Sequence, residues 1–289
     1  MRTLLIGLIF ISGILGAQIR GVYKYDYKID STKMDSVQTE WMYLDINKEG
    51  SNYYSKKAFE SDSISAEEVK KQIASGSGSI SITKKSPGGQ LGERVEKVYH
   101  GQIYLLTSVG SNSYKVKEDR NIEWQIQNET KTINDFNVQK ATTNFAGRKW
   151  TAWFTAEVPF SDGPYKFSGL PGLIVQLEDQ TQSHVFELKA LEKRERAGIA
   201  EVSLPDGSTL DFFSKKALNV DRDQYKKILD QYRKDPVQGM RQTLSTPNTS
   251  VVININGQKY SDPAEVLRQM EKIARQKLKS RNNTIELEN

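Results

Sequence analysis

The 289-residue sequence contains no cysteine. Disulfides, thiolate metal sites and thiol nucleophiles are therefore excluded together. Histidine is nearly missing too, with only His100 and His184. Each adjoins strand-like residues and reads as a half-buried or surface strand position, and a zinc site would need both plus carboxylates. No His-Glu-x-x-His helix and no Gly-x-Ser-x-Gly elbow occurs. The loop Pro87-Gly88-Gly89-Gln90-Leu91-Gly92 lacks the Lys and Ser/Thr that hold phosphate and magnesium. These absences predict no metal, no cofactor and no recognisable catalytic residue. Carboxylates are plentiful, and Glu157, Asp162, Glu178 and Asp179 crowd one loop region. No spacing singles out a pair among them, so they read as solvated loop acids.

Long apolar runs are also absent after the first 17 residues, so no later stretch is apolar enough to cross a bilayer. The N-terminus itself is different. Arg2 supplies a positive charge, Leu4 to Leu15 is almost wholly apolar, and Gly16-Ala17 precedes polar Gln18 and Arg20. That order describes a secretory signal peptide over residues 1–17. The expectation is export to the periplasm, the outer-membrane periphery or the exterior. A formal charge of +5 is spread among nearly balanced acids and bases. The main basic cluster, Arg268 to Arg281, reads as a solvated helix face rather than an anionic-surface contact. Nucleic acid is not an expected partner.

What is present is aromatic and strand-like. Thirteen Tyr, 10 Phe and 4 Trp can build a core despite a mean hydropathy of −0.61. Tyr23, Tyr25, Tyr27 and Ile29 alternate with Lys24, Asp26 and Lys28, which gives a strand two faces. Similar short runs fall at 41–46, 51–59, 95–99, 103–106, 114–116, 122–126, 136–141, 149–154, 173–178 and 185–191. Ser65 and Glu68 have capping-box spacing and predict a short helix starting there. Gly76 to Gly89 predicts a mobile loop. Towards the C-terminus, Asp221 opens a segment with Tyr225, Ile228, Leu229 and Tyr232 at helical spacing, closed by Pro236. Asn256-Gly257 predicts a hairpin turn. Asp262-Pro263-Ala264-Glu265 is a helix start, followed by an apolar stripe of Val266, Met270, Ile273 and Leu278. Residues 282–289 read as a loose tail. The fold class is α+β and mainly antiparallel β: a curved sheet or half-open barrel with a few helices, mostly C-terminal from about residue 214.

The most specific signal is Gly169-Leu170-Pro171-Gly172-Leu173-Ile174. With Gly147 to Thr155 before it, Asp162 to Phe167 beside it and Asn282 to Leu287 at the end, it resembles the GLPGLI family of exported proteins, seen mainly in Bacteroidetes. The resemblance implies that residues 18–289 form one domain of that family, and it implies no chemistry. The overall pattern also resembles the curved sheets of periplasmic lipoprotein carriers and the bowl-like domain that precedes the catalytic part of some bacterial peptide-N-glycanases. Physically, Gly169 and Gly172 allow backbone geometry closed to other residues, Pro171 fixes its own torsion, and Leu170 and Leu173 turn inward. The plain reading is a packing corner. The functional alternative is a ligand rim, in which Trp153, Tyr165, Phe167 and Leu170 contact an apolar guest.

Together these features suggest a non-enzymatic envelope protein that binds an apolar ligand, a peptide or a partner protein such as an outer-membrane uptake system. The rival reading is a carboxylate-based hydrolase of envelope glycan or peptide. Asp30-Ser31-Thr32, Asp35-Ser36-Val37 and Asp62-Ser63-Ile64 resemble short O-glycosylation sites of exported Bacteroidetes proteins.

Overall fold

The computed structural model describes residues 18–76, 92–99, 101–194, 201–203, 209–211, 217–246, 251–255 and 257–287. The signal peptide expected over 1–17, His100, Asn256 and all but the first residue of the loop expected from Gly76 to Gly89 lie outside them.

Alternation becomes strand as expected over most of the chain. The first three strands are β1 (Gln18–Tyr27), β2 (Gln38–Ile46) and β3 (Gly50–Ser55), followed by helix α1 (Lys56–Ala74). Strands β4 (Arg94–Val98), β5 (Ile103–Val109), β6 (Asn112–Glu118), β7 (Gln125–Ile133), β8 (Phe136–Phe145) and β9 (Arg148–Thr155) form a run of neighbours. A long loop separates β9 from β10 (Leu173–Asp179), which turns tightly into β11 (His184–Arg194). The C-terminal third holds short strands β12 (Glu201–Ser203), β13 (Thr209–Asp211) and β14 (Leu218–Val220). It continues with helices α2 (Arg222–Lys234) and α3 (Gln238–Leu244), the hairpin β15 (Ile253–Ile255) and β16 (Gln258–Tyr260), and helix α4 (Pro263–Ser280).

Twelve strands join one sheet in the order β14-β6-β5-β4-β3-β2-β1-β11-β10-β9-β8-β7. All pairings in it are antiparallel except β14 on β6. Laid flat, β6 and β8 would stand about 40 Å apart at the usual strand spacing. Instead Arg120, just past β6, sits 4.6 Å over the ring of Phe145 in β8. The sheet is therefore strongly curved, and its two edges are not hydrogen-bonded to each other. The fold is α+β, with a curved antiparallel sheet and mostly C-terminal helices.

The two faces of β1 show what each side holds. Gly21, Tyr23, Tyr25 and Tyr27 point into the curve and are buried. Arg20 points outward yet is also buried, because α1 covers it: Arg20 donates to Asp45 at 2.6 and 2.7 Å, and Phe59 of α1 packs on Tyr43 and Tyr54. This helix corrects one expectation. It is 19 residues long and starts at Lys56, with Ser55 as its N-cap. Ser65 lies inside it and back-bonds to the Ser61 carbonyl rather than capping anything. Residues 122–124 also depart from the expected strand, because Trp124 turns inward and donates to the Ser168 carbonyl at 2.8 Å. The predicted caps hold: Asp221 makes a full capping box with Gln224, and Asp262 accepts from the Glu265 amide with Pro263 behind it.

Candidate ligand-binding cleft

The loop from 156 to 172 divides the inner face of the sheet into a sealed half and an open half. Gly172 makes the return into β10 possible. Its φ is 148°, and a Cβ there would lie 2.0 Å from the Thr155 carbonyl oxygen. Leu170 and Leu173 are both buried. Phe167 is fully buried, with its ring 4.8 Å from Trp150 and 5.5 Å from Phe145.

Three ionic groups pin this half. Lys97 of β4 donates to Asp162 at 2.5 Å and to the carbonyls of Gly163 and Phe167, and Tyr99 donates to the other Asp162 oxygen. Burial pushes the Lys97 amine down, against the pull of Asp162. In the second group, Lys166 bridges Glu118 at 2.7 Å and Glu286 at 2.5 Å. Arg120 joins the same two carboxylates, and Tyr165 donates to Glu286. Burial alone would raise Glu118, but Arg120 and Lys166 outweigh it and hold its pKa at about 2.

The third group gathers on Arg148. Its guanidinium donates to Asp179 at 2.9 Å, to Asn283 Oδ1 at 2.6 Å and to the carbonyls of Thr284 and Ile285. Asp179 also accepts from the Thr181 hydroxyl and the His184 backbone amide. His184 is buried, not half-buried or superficial as expected, with Nδ1 2.7 Å from the Tyr25 hydroxyl. Burial and Arg148 push its imidazole down to about 4. Its Nε2 makes no hydrogen bond, although the backbone of Thr284 and Asn283 lies close enough to oppose that shift.

Two expectations are corrected here. Asp162 and Asp179 are 0% and 1% exposed, so they are buried counter-ions rather than solvated loop acids. Residues 282–287 are not a loose tail: Asn283 donates to the Lys28 carbonyl, the Asn283 amide to the Ile29 carbonyl, and the Leu287 amide to the Ala146 carbonyl. Sequence reading missed Lys97, Glu118, Lys166 and Glu286. For two of them a signal existed, since Lys97 follows Val95 and Glu118 follows Val116 on the inward side of their strands.

The open half is a cleft of about 900 Å³ between β1, β5 and the helices α2 and α4. Tyr25, Tyr27, Leu105 and Val109 line it from the sheet; Tyr225, Leu229, Tyr232 and Leu278 face them from the helices. The segment 283–286 closes one side, and Glu93 enters from the chain leading into β4. Of the four residues proposed as ligand contacts from sequence, Tyr165 lines this cleft. Trp153, Phe167 and Leu170 do not: Phe167 and Leu170 are 0% and 1% exposed inside the sealed half, whereas Trp153, 5% exposed, alternates with Trp150 and so lies on the outer face of β9 beneath the amines of Lys131 and Lys140. The basic cluster at 268–281 is largely solvent-facing as expected: Arg268, Arg275 and Lys277 are all exposed, and Arg275, Lys277 and Arg281 also border the cleft. Among the described residues no group of His, Asp and Glu is placed to hold a metal, and no helix is long and apolar enough to cross a membrane.

Residues 144–176 match the model of a family described as a protein of unknown function, Porph_ging. No curated protein matches the chain. Two solved structures of PNGF-II, in space groups C2 and P21, are 15% and 14% identical to it, each with a TM-score of 0.48. The alignments cover 83% and 82% of this chain but 34% and 35% of those, so the chain spans about a third of their length. The family match falls on β9, β10 and the loop between them, and of the cleft-lining residues it contains Tyr165 alone. What this chain shares with that family of unknown function is the sealed corner.

Proposed function

We propose that this chain is a non-enzymatic binding module of the cell envelope, holding an apolar or amphipathic ligand between its curved sheet and C-terminal helices. The observation that carries the reading is the cleft itself. Its volume falls within the range of small-molecule sites, and its walls combine aliphatic side chains with tyrosines whose hydroxyls stay polar. We place the chain in the GLPGLI family on its Gly169–Ile174 motif, as a single domain over 18–289 exported by the leader at 1–17. The rival hydrolase reading is weakened at two of its four acids, because Asp162 and Asp179 are each tied to a buried base.

The test is direct. Purified protein is incubated with a membrane extract, washed, and its bound molecules identified by mass spectrometry, alongside titration with a neutral fluorescent naphthylamine probe. A bound apolar or amphipathic species and probe enhancement at one site per chain are expected. No bound species and no enhancement would sink the reading.

A further inference from the structure

The charges that border the cleft are answered by the protein itself. Arg233 of α2 pairs with Asp230 at 3.0 Å, and Arg275 of α4 with Glu271 at 2.7 Å. Glu286 is held by Lys166, Arg120 and Tyr165. Burial and Glu286 push the Glu93 carboxyl up, while Lys166 and Arg281 draw it back down, so Arg281 already acts on an acid of the protein. Burial and Arg148 keep the His184 imidazole neutral. Lys277 is exposed, and its ammonium keeps its water. A charged ligand group carried into this cleft would leave water and meet no unpaired counter-charge among the described residues.

The backbone of the sheet wall is satisfied as well. β1 is hydrogen-bonded on both edges, to β2 and to β11, and β5 to β4 and to β6. An extended peptide laid against this wall would find no partners for its amides, whereas a hydrocarbon chain needs none. The polar groups left to a ligand are hydroxyls. That of Tyr25 is taken by His184 and that of Tyr165 by Glu286. The hydroxyls of Tyr27 on the sheet and Tyr232 on α2 make no hydrogen bond among the described residues. Tyr27 is the more enclosed of the two, at 3% exposed.

We propose, resting on the reading of the cleft as a ligand site, that its ligand is an uncharged lipid with a long hydrocarbon chain and one neutral oxygen group, an alcohol or an ester. The chain lies along Leu105, Val109, Leu229 and Leu278. The oxygen group bonds to the Tyr27 hydroxyl, which can donate to an ester carbonyl or accept from an alcohol.

Displacement of the neutral naphthylamine probe tests this with competitors of one chain length. The purified protein is titrated with hexadecanol, with methyl hexadecanoate, and with two permanently charged amphiphiles, hexadecanesulfonate and hexadecyltrimethylammonium, each below its micellar range. At least one neutral competitor displaces the probe at about tenfold lower concentration than either ion, and which one does so separates alcohol from ester. Tyr27→Phe raises the displacing concentration of that competitor about fivefold, while Tyr104→Phe, on the outer face of β5, leaves it unchanged. Displacement by either ion at the same concentration as the neutral lipids would overturn the uncharged class while leaving the cleft a ligand site. A Tyr27→Phe protein that responds as the wild type does would overturn the Tyr27 contact. Displacement by an apolar peptide but by none of the lipids would overturn the ligand class. A probe that never binds removes the underlying reading as well.

Discussion

The two halves of the inner face are built from neighbouring strands and are covered to different degrees. In the sealed half, Trp150, Phe167 and Leu170 pack beneath or within the 156–172 loop with almost no exposed surface. In the open half, Tyr25 and Tyr27 are only 2% and 3% exposed yet face Leu229, Tyr232 and Leu278 across a cleft. Aromatic content does not separate the two, since both are rich in it. What differs is the covering element. A loop with glycine at its tightest points descends onto the sheet, while helices carrying charged and long side chains stand off from it. Dense aromatic sequence therefore marks core where a flexible backbone can follow the sheet, and marks a cleft where only a rigid helix covers it.

That contrast can be broken by substitution. The largest effect is expected at Gly172→Ala, where the new methyl group meets the Thr155 carbonyl. A loss of more than about 4 kcal/mol in urea unfolding, or no folded protein at all, is anticipated; a loss below about 1 kcal/mol would mean the corner is not closed as described. Asp162→Ala strands the buried Lys97 ammonium and should cost about 3–5 kcal/mol, much of it recovered in the Asp162→Ala/Lys97→Met double variant. Failure of the second change to recover anything would show that Asp162 acts through something other than the pair.

Acid should sharpen the contrast next. His184 is neutral in the fold, with its pKa lowered from 6.5 to about 4. The unfolded chain therefore takes up the proton first. The stability that this neutral imidazole contributes is fully present above pH 6.5 and is lost as pH falls towards 4, by about 3 kcal/mol in all. Glu118 follows at lower pH: its stabilisation persists above its ordinary value of 4.5 and disappears as pH drops towards 2. Unfolding curves at pH 7, 6 and 5 on the wild type and His184→Gln check the first window, and identical slopes in both proteins would remove His184 from the account. The smallest effect belongs to the cleft. Leu278→Ala should change stability by about 1 kcal/mol or less, yet weaken probe binding. Were it to destabilise as strongly as the sealed-half variants, the cleft would be ordinary core.

Much of the fold was legible because its signals are local. The alternation of β1, the caps at Asp221 and Asp262, and the corner at 169–174 each rest on residues within a few positions of one another. Misreadings arose where a local pattern was real but overruled. Ser65–Glu68 has capping spacing, yet α1 buries Asp62, Ser65, Ala66 and Val69 as one continuous face. Trp124 sits in an alternating run, yet its indole is more valuable to the loop at Ser168 than to a strand. The candidate site was the least legible part. Tyr165 was found and Tyr25, Tyr27, Tyr225 and Tyr232 were read only as strand or helix positions, because a cleft wall and a core wall share the same periodicity.

Periodicity, capping chemistry and glycine torsions are properties of neighbouring residues, so the chain order alone settled most of the strands, the starts of α2 and α4, and the tight turn at residue 172. Which buried acid meets which base, and which flank of the curl stays open, depended on side chains from about thirty to more than a hundred positions apart. Arg148 needs Asn283 and Thr284, and Tyr25 faces Leu278 only once the sheet has bent. Those encounters follow from curvature and helix placement, which no short stretch of sequence encodes.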